Sequence, residues 1–403
     1  MIARIDARTP TVAEYLQGLN LHVKNAESNA AQVDALIDLS SFKLRLGQRD
    51  EAGAHVNEAF LVAQFVPKNH RFRANARVMY GGGLVSYFAG HYAESIGQLH
   101  NAIESSRRSD DEINRIRSLT ILALAFGRLG GYLEGLAYAN AALDSATSRQ
   151  DSFAMAHAYV ALGFLHSSRD GGQPAKIAFE AAEPLAESSG DPLLIVAVSV
   201  NRAGTAHTIA QHAADLLEKN TTGSAIGHEA LRQQIAEARN LCEHALVVSE
   251  NLGHATGITI ATSNIAEVCF LEGNVDEAIK IANRAIILAQ DLGNLDHQCN
   301  THLVLGTFCL ASNKLAEANA ALAAALGFAK HSGVLSLELR AQEARVECLE
   351  RQQFLAEAAA VREAIPSLRA AIQIAARANQ DALANVAREP DILPVTQNVR
   401  DKI

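Results

Sequence analysis

Two apolar segments joined by a three-residue turn decide the fold: TIATSNIAEVCFL at 259–271, EGN at 272–274 and VDEAIKIANRAIILAQDL at 275–292. In the second segment apolar residues recur at Ile279, Ala282, Ile286 and Ala289, a spacing typical of one buried face of an α-helix. Gly293 follows, and glycine is the residue that most easily adopts the left-handed backbone of a helix end. The stretch therefore predicts a hairpin of two helices.

The same pattern recurs along the chain with a period of forty residues. A small residue near the start of each second helix marks the period, and the steps between successive markers are 43, 40, 40, 63, 40, 40 and 40. A helix-ending glycine follows four of these markers at a constant distance, at Gly190, Gly253, Gly293 and Gly333. The two signals are in phase, which indicates repeated helical hairpins. The markers are Ala52, Ser95, Gly135, Ala175, Ala238, Ala278, Ala318 and Ala358.

A single hairpin of this kind cannot bury its apolar faces, so neighbouring hairpins must stack. We therefore predict an all-α protein, an α-solenoid of eight hairpins in which each contacts mainly the next. A small residue also stands at one position of six first helices, where a larger side chain would push the two helices of a hairpin apart. These residues are Gly83, Ala123, Gly163, Gly204, Ala266 and Gly306.

Polar residues mark several helix starts. Ser109 with Glu112, and Asn274 with Glu277, have the spacing of a capping box. Asp191 precedes Pro192, and this pair predicts a capping carboxylate followed by proline at the first helical position.

The chain divides into four parts by these patterns. We predict an N-terminal capping helix in residues 1–32, eight repeats in residues 33–366, a C-terminal capping helix in residues 367–388 after Pro366, and a flexible tail in residues 389–403. The long step from Ala175 to Ala238 predicts an insertion near 212–228, within the fifth repeat. That insertion is either a tolerated surface loop or a lip that contacts a ligand or a second subunit.

Composition excludes several classes of protein. The formal net charge is −9, hydrophobic residues make up 49%, and glycine and proline number 26 and 8, which disfavours disordered, collagen-like and strongly basic proteins. No apolar run approaches the length of about 18 residues needed to cross a bilayer. Five cysteines lie within helical apolar patterns, as reduced thiols do. We expect a cytoplasmic protein without a membrane partner.

The repeat resembles the tetratricopeptide repeat family. The family's Leu-Gly pair is present at Leu162-Gly163 and Leu305-Gly306, and its Gly-x-Tyr-x-Glu motif begins at Gly90 and at Gly130. The forty-residue period is similar to the long-repeat version found in MalT-type regulators. The resemblance covers residues 33–366 and implies a right-handed superhelix whose first helices line a concave groove.

Carrying the family's concave positions onto this sequence gives seven candidate partner-binding residues. An asparagine amide both donates and accepts hydrogen bonds, so it can pair with the backbone of an extended peptide whatever the sequence of that peptide. The arginines, some of which begin a helix where the macrodipole disfavours positive charge, predict either a neighbouring acidic helix or an acidic ligand. The seven residues are Arg77, Tyr80, Arg117, Asn201, Arg202, Asn264 and Asn300.

Catalytic and metal-binding interpretations have little support in the sequence. Gly81, Gly82 and Gly83 are not followed by the lysine of a phosphate-binding loop. Around Cys299 and His302 no second pair completes a tetrahedral metal site. We therefore expect no catalytic residue, no metal and no cofactor, and the acidic charge argues against a nucleic-acid partner.

Two functional hypotheses remain. The first is a non-enzymatic scaffold whose groove binds a peptide or a partner segment. The alternative is a regulatory sensor of a ligand or peptide that acts on a separate output protein in bacterial signal transduction or transcription. Exposed end repeats are also compatible with homo-oligomerisation.

Overall fold

The computed structural model describes residues 9–167, 172–219 and 225–386, and within them it consists of helices, turns and bends without a strand. Seventeen α-helices and one short 3-10 helix, Lys68–His70, make up these residues. The α-helices are α1 Val12–Lys24, α2 Asn29–Arg45, α3 Arg49–Ala63, α4 Arg71–Phe88, α5 Tyr92–Arg108, α6 Glu112–Arg128, α7 Tyr132–Ser148, α8 Ser152–Ser167, α9 Gln173–Ser189, α10 Pro192–Lys219, α11 Ala225–Leu252, α12 Ala255–Leu271, α13 Val275–Leu292, α14 Leu295–Ala311, α15 Leu315–Ser332, α16 Leu335–Arg351 and α17 Leu355–Val386.

After α1 the helices follow one another as eight hairpins, from α2 with α3 to α16 with α17. Contacts are densest within hairpins and between consecutive helices, as a stacked repeat requires. The prediction of an all-α solenoid of eight helical hairpins is confirmed.

The chain forms two compact units. The N-terminal unit consists mainly of residues 4–198 and the C-terminal unit of residues 199–377. In the N-terminal unit a continuous apolar core extends from Val33 on α2 to Ala178 on α9, with Leu36, Phe126 and Tyr138 almost fully buried. Each hairpin thus contributes one layer to a shared core.

Three of the predicted small residues lie where the helices of a hairpin approach most closely. A β-carbon on Gly83, Gly163 or Gly306 would lie 2.8, 2.5 or 2.6 Å from Leu99, Phe179 or Leu322, respectively, on the second helix. This confirms the prediction at these three positions, because real β-carbons do not approach so closely.

Gly204 was assigned to this packing position wrongly. A β-carbon there would meet only the Asn264 amide, at 3.7 Å, whereas Ala203 is fully buried. In the fifth repeat the packing position is therefore Ala203, one residue before the predicted Gly204. Gly204 lies on a different face of its helix.

The helix ends confirm the glycine signal and correct part of the capping signal. Gly190, Gly253, Gly293 and Gly333 all have φ between 66° and 71°, the left-handed conformation predicted for them. Asp191 accepts the backbone N–H of Leu194 at 2.8 Å, as a helix cap does.

The two predicted capping boxes are not formed. Asp111 rather than Ser109 caps α6, by accepting the backbone N–H of Asn114. The chain turns through Asp110 at a positive φ of 55° before that helix begins. Asn274 precedes α13 without a capping hydrogen bond from its side chain.

The inserted residues extend the fifth hairpin. Helices α10 and α11 each span 28 residues, whereas most other helices span about 17. The predicted insertion at 212–228 thus lies largely within these two helices, and its polar centre, 220–224, falls outside the described residues.

Both predicted chain ends differ from the structure in detail. Residues 29–32 already belong to α2, so the N-terminal capping helix is α1 alone. Toward the other end α17 continues through Pro366, so the predicted separate helix after that proline is not observed. The predicted tail at 389–403 lies outside the described residues.

One described helix could cross a membrane by length and composition alone. It is α10 over Pro192–Glu218. An 18-residue window of this helix has a mean hydropathy of 1.3, and 61% of the window is buried within the protein. Core helices of helical proteins have the same properties.

Candidate functional site

In the N-terminal unit the predicted binding arginines are engaged by carboxylates of the same unit. Arg77, which is 5% exposed, donates to both carboxylate oxygens of Asp111 at 3.0 and 3.3 Å and lies 3.4 Å from Asp34. Arg73 donates to Asp34 at 2.9 Å. The sequence predicts either an acidic neighbour or an acidic ligand for the arginines at this helix start. In the structure, acidic side chains of the same unit neighbour Arg73 and Arg77.

Arg117 is bound in the same way. Its guanidinium donates to Asp38 on α2 at 2.6 Å and lies 5.7 Å from the centre of the Phe153 ring. Burial opposes the charge of Arg117, but Asp38 outweighs it and the pKa of the guanidinium is raised. Tyr80, another predicted binding residue, is 5% exposed and belongs to the core.

A third ion pair joins α2 to the start of α10. Arg45 donates to both carboxylate oxygens of Asp191 at 3.1 and 2.8 Å, although the two residues are far apart in sequence. Next to it Val12, Phe42 and Leu193 form a small apolar cluster, and the Arg45 guanidinium lies 5.3 Å from the Phe42 ring centre. Burial alone would raise the pKa of Asp191, but Arg45 and the Leu194 N–H hold it below its ordinary value.

These ion pairs share one face of α2. Asp34, Asp38 and Arg45 stand at positions i, i+4 and i+11, which a helix places on the same side. Asp34 and Asp38 are not among the residues predicted from the sequence, although two carboxylates four residues apart on a first helix are a visible signal. The carboxylates of α2 therefore neutralise Arg77 and Arg117, two of the arginines predicted to bind a ligand.

The C-terminal unit presents a different surface on its first helices. Ile260, Asn264 and Glu267 on α12, and Asn300, Val304 and Thr307 on α14, occupy equivalent repeat positions at i, i+4 and i+7. We call this surface the inner face of the C-terminal unit. The corresponding residues are Asn201 and Gly204 on α10 and Arg340, Ala344 and Glu347 on α16.

Two predicted binding residues on the inner face have side-chain amides without a hydrogen-bond partner among the described residues. Asn264 and Asn300 are half-buried, and neither side chain forms a hydrogen bond with any residue that the structure describes. By contrast, Asn283 on α13 donates to the backbone carbonyl of Ile279 at 2.9 Å.

Charged groups lie beside these amides. His207 Nε2 lies 3.4 Å from Glu267 Oε2. Burial raises the pKa of Glu267, and His207 and Arg340 lower it in part. Arg340 was missed by the sequence analysis, although it stands one repeat period after Asn300 and so at the same repeat position.

Asn201 and Arg202, the remaining predicted residues, are half-buried on α10 and both interact with other residues. Asn201 stands at the position equivalent to Asn264. The structure thus places Asn201, Asn264 and Asn300 on successive first helices and keeps Arg77, Tyr80 and Arg117 in the N-terminal unit.

The residues considered above for metal binding, nucleophilic chemistry and phosphate binding have the following surroundings. Within residues 9–167, 172–219 and 225–386, no three His, Cys, Asp or Glu side chains gather as metal ligands. The five cysteines are free and buried, and burial raises the pKa of Cys242 to about 12 and of Cys299 to about 11. In the glycine run, a β-carbon on Gly81 would lie 2.6 Å from Ile37. The absence of a side chain at Gly81 therefore permits the close contact of α4 with α2.

Comparisons with known proteins agree with this fold. Residues 257–331 match the family described as Tetratricopeptide repeat, and the chain matches no curated protein in sequence. The solved structure of a Rap protein complexed with Competence and Sporulation Factor is similar, with a TM-score of 0.58 and 14% identity over 90% of this chain and 98% of that chain.

Two other similar structures are sensors by description. The apo form of the quorum sensor NprR from B. thuringiensis has a TM-score of 0.55 and 13% identity over 88% of this chain and 92% of that chain. A signal transduction ATPase with a tetratricopeptide repeat sensor, from Pyrococcus horikoshii, has a TM-score of 0.57 and 14% identity over 90% of this chain and 54% of that chain. The predicted tetratricopeptide type of fold is confirmed, and the long-repeat MalT-like subtype stays a prediction.

Proposed function

We propose that this protein of tetratricopeptide repeat type is a non-enzymatic scaffold that binds an extended peptide or partner segment along the inner face of its C-terminal unit. The observation that carries the proposal is the pair of half-buried amides, Asn264 and Asn300, without hydrogen-bond partners among the described residues. A bound peptide backbone offers each of them an N–H and a C=O.

The neighbouring residues fit this role. Gly204 on α10 lies next to the Asn264 amide, since a β-carbon on Gly204 would be 3.7 Å from the amide nitrogen. Asn201 extends the row to α10. Arg202 and Arg340 would attract acidic side chains of the ligand.

The N-terminal arginines have another role in this proposal. Asp111 and Asp38 already neutralise Arg77 and Arg117. We therefore assign Arg77, Arg117 and the buried Tyr80 to shaping the first helices, and not to direct contact with the ligand.

Charge and fold support the other parts of the proposal. We propose a bacterial, cytoplasmic protein whose partner is a protein or peptide and not a nucleic acid or a membrane. The net charge of −9 disfavours nucleic-acid binding. Raised thiol pKa values leave the cysteines without a nucleophilic thiolate at neutral pH. Self-association through the end repeats is part of the proposal.

The alternative proposal is a sensor whose ligand changes the arrangement of the repeats and thereby the activity of a separate output protein. It is favoured by the similar structures described as a quorum sensor and as a repeat sensor. Small-angle X-ray scattering with and without bound peptide separates the two. A static scaffold keeps its radius of gyration, and a sensor changes it.

The binding proposal is tested with peptides selected from a random twelve-residue library on the intact protein. We expect Asn264→Ala and Asn300→Ala each to weaken the selected peptide about 5- to 30-fold by fluorescence anisotropy, the loss of one or two hydrogen bonds. Asn283→Ala, on a second helix, is the control and should leave binding unchanged. Equal affinity of all four proteins would overturn the proposal.

A further inference from the structure

An exposed apolar surface lies where α3 passes into α4 in the N-terminal unit. Phe60, Leu61, Phe65 and Phe72 are exposed to 56, 59, 75 and 51%, respectively. We call these four residues the aromatic patch. Five phenylalanines are exposed among the described residues, and three of them lie within residues 60–72. Large exposed apolar side chains concentrated in one short segment are typical of interaction sites in soluble proteins.

The backbone that carries the patch is firmly held. Val66 is 1% exposed and Ala63 is 5% exposed, so the connection is anchored in the core on both sides of Phe65. The amide of Asn29 also donates to the backbone carbonyl of Phe65 at 3.2 Å. The exposure of Phe65 is therefore built into an ordered connection.

Positive charge surrounds the patch. Residues 59–93 contain no acidic residue, although the whole chain carries a net charge of −9. Lys68 and Arg71 are exposed beside the phenylalanines, and the guanidinium of Arg108 lies 6.0 Å from the centre of the Phe72 ring. We call Lys68, Arg71 and Arg108 the basic rim.

Two of these cations lack compensation within the described part of the protein. Arg108 is paired with Glu104 at 3.1 Å and Arg73 with Asp34 at 2.9 Å, but Lys68 and Arg71 form no ion pair with any described residue. Arg71 is the first residue of α4, Lys68 lies in the short 3-10 helix just before it, and the first turn of α4 contains no acidic residue. Positive charge at that helix end is unfavourable, and an anionic group there is favourable.

We propose that the aromatic patch and its basic rim bind an acidic amphipathic helix of a partner protein. The apolar side of that helix would cover the phenylalanines, and its carboxylates would meet Lys68, Arg71 and the N-terminus of α4. Exposed Glu58 and Glu104 interrupt the positive charge near the patch and would repel a broad anionic lipid surface. The uncompensated charges of Lys68 and Arg71 instead suit a narrow acidic segment. This site is separate from the inner face of the C-terminal unit.

The probe is a fluorescein-labelled sixteen-residue helical peptide with leucines at i, i+3, i+4 and i+7 and glutamates on its other face. Its partner probe has the same leucines and lysines in place of the glutamates. We expect the intact protein to bind the acidic probe with an affinity that falls with salt, and the basic probe at least about tenfold more weakly.

Three variants locate the binding. Phe65→Ser and the double variant Lys68→Glu with Arg71→Glu should each weaken the acidic probe at least about tenfold. Phe354→Ser, which changes a phenylalanine 50% exposed in the C-terminal unit, is the matched control and should bind normally. All changed side chains are exposed, and circular dichroism verifies folding.

Three outcomes would overturn the proposal. The first is equal binding of the acidic probe by wild type and both patch variants. The second is that the protein does not bind the probe but co-sediments with vesicles of one part phosphatidylserine to two parts phosphatidylcholine, and that Phe65→Ser abolishes this co-sedimentation. That result would assign the patch to a membrane. The third is no binding of the probe together with a dimer in analytical ultracentrifugation that Phe65→Ser dissociates, which would assign it to a second copy.

Discussion

The ion pair between Arg45 and Asp191 makes the sharpest prediction at the scale of single residues. The Asp191 side chain is 2% exposed and the Arg45 side chain 21%, so Asp191→Asn leaves the largely buried Arg45 charge without its partner. We expect the free energy of unfolding in urea to fall by about 3 kcal/mol.

The pH dependence and a control verify that charge is the cause. The pKa of Asp191 is lowered in the folded protein. The ionised Asp191 carboxylate therefore stabilises the folded state above about pH 4, and this stabilisation is lost as pH falls below that value. The difference between wild type and variant should shrink in the same range. Asp276→Asn, at the exposed pair with Lys314, should change nothing measurable. An equal effect of both substitutions would contradict the interpretation.

His157 makes a second residue-scale prediction. Burial, and to a smaller extent Arg45, lowers the pKa of this imidazole to about 3, whereas an unfolded chain binds the proton near pH 6.5. The unfolded state therefore gains protons first, and the protein loses stability as pH falls from about 6.5 to about 3.

The His157→Gln variant lacks this source of acid sensitivity. We expect the unfolding free energy of wild type to decline relative to the variant between pH 7.5 and pH 4.5, as measured by urea denaturation at both values. Parallel decline of the two proteins would show that His157 titrates normally.

The residue scale also shows where sequence reasoning succeeds and where it stops. Gly163 and Gly306 were predictable because a close approach excludes every side chain. The partners of Arg77 and Arg117 were not predictable as specific residues, because Asp111 before α6 and Asp38 on α2 are far away in sequence. Repeat spacing places residues on a helix face but does not pair them across the core.

At the scale of the hairpin, α14 and α15 provide a matched test of close packing. Gly306→Ala would place a β-carbon 2.6 Å from Leu322, and we expect a loss of about 1 to 3 kcal/mol in unfolding free energy. Gly327 lies within α15, and a β-carbon there meets nothing within 4 Å. Gly327→Ala should therefore stabilise the protein by about 0.5 to 1 kcal/mol.

Thermal unfolding followed by circular dichroism verifies the opposite signs. The two substitutions are identical in chemistry and differ only in the space around the new methyl group. If both variants shift the melting temperature in the same direction, close approach of the helices is not what requires glycine at position 306.

Element boundaries were predictable where one residue has a strong local preference. The four glycines that end helices adopt the predicted conformation, whereas Pro366 lies inside α17 and does not end it. The extra residues of the fifth repeat were located by spacing alone, but spacing could not show that they lengthen α10 and α11. Polar residues such as His212 and Gln233 suit an exposed helix as well as a loop.

In the molecule as a whole, the first helices of the two units have different surroundings. In the N-terminal unit carboxylates and arginines neutralise each other, as in the pair of Asp38 with Arg117. In the C-terminal unit Asn264 and Asn300 remain without partners among the described residues. The sequence predicted both sets as ligand contacts, since repeat position alone does not reveal which side chains find partners.

The position of a bound peptide tests this account most directly. Benzoylphenylalanine is introduced in place of Thr307, which is exposed on α14 beside Asn300, or in place of Arg284, which is exposed on the second helix α13. Each protein is irradiated with the peptide selected on wild type, and mass spectrometry identifies the products. We predict cross-linked peptide at position 307 and none at position 284, and cross-linking at 284 alone would contradict the account.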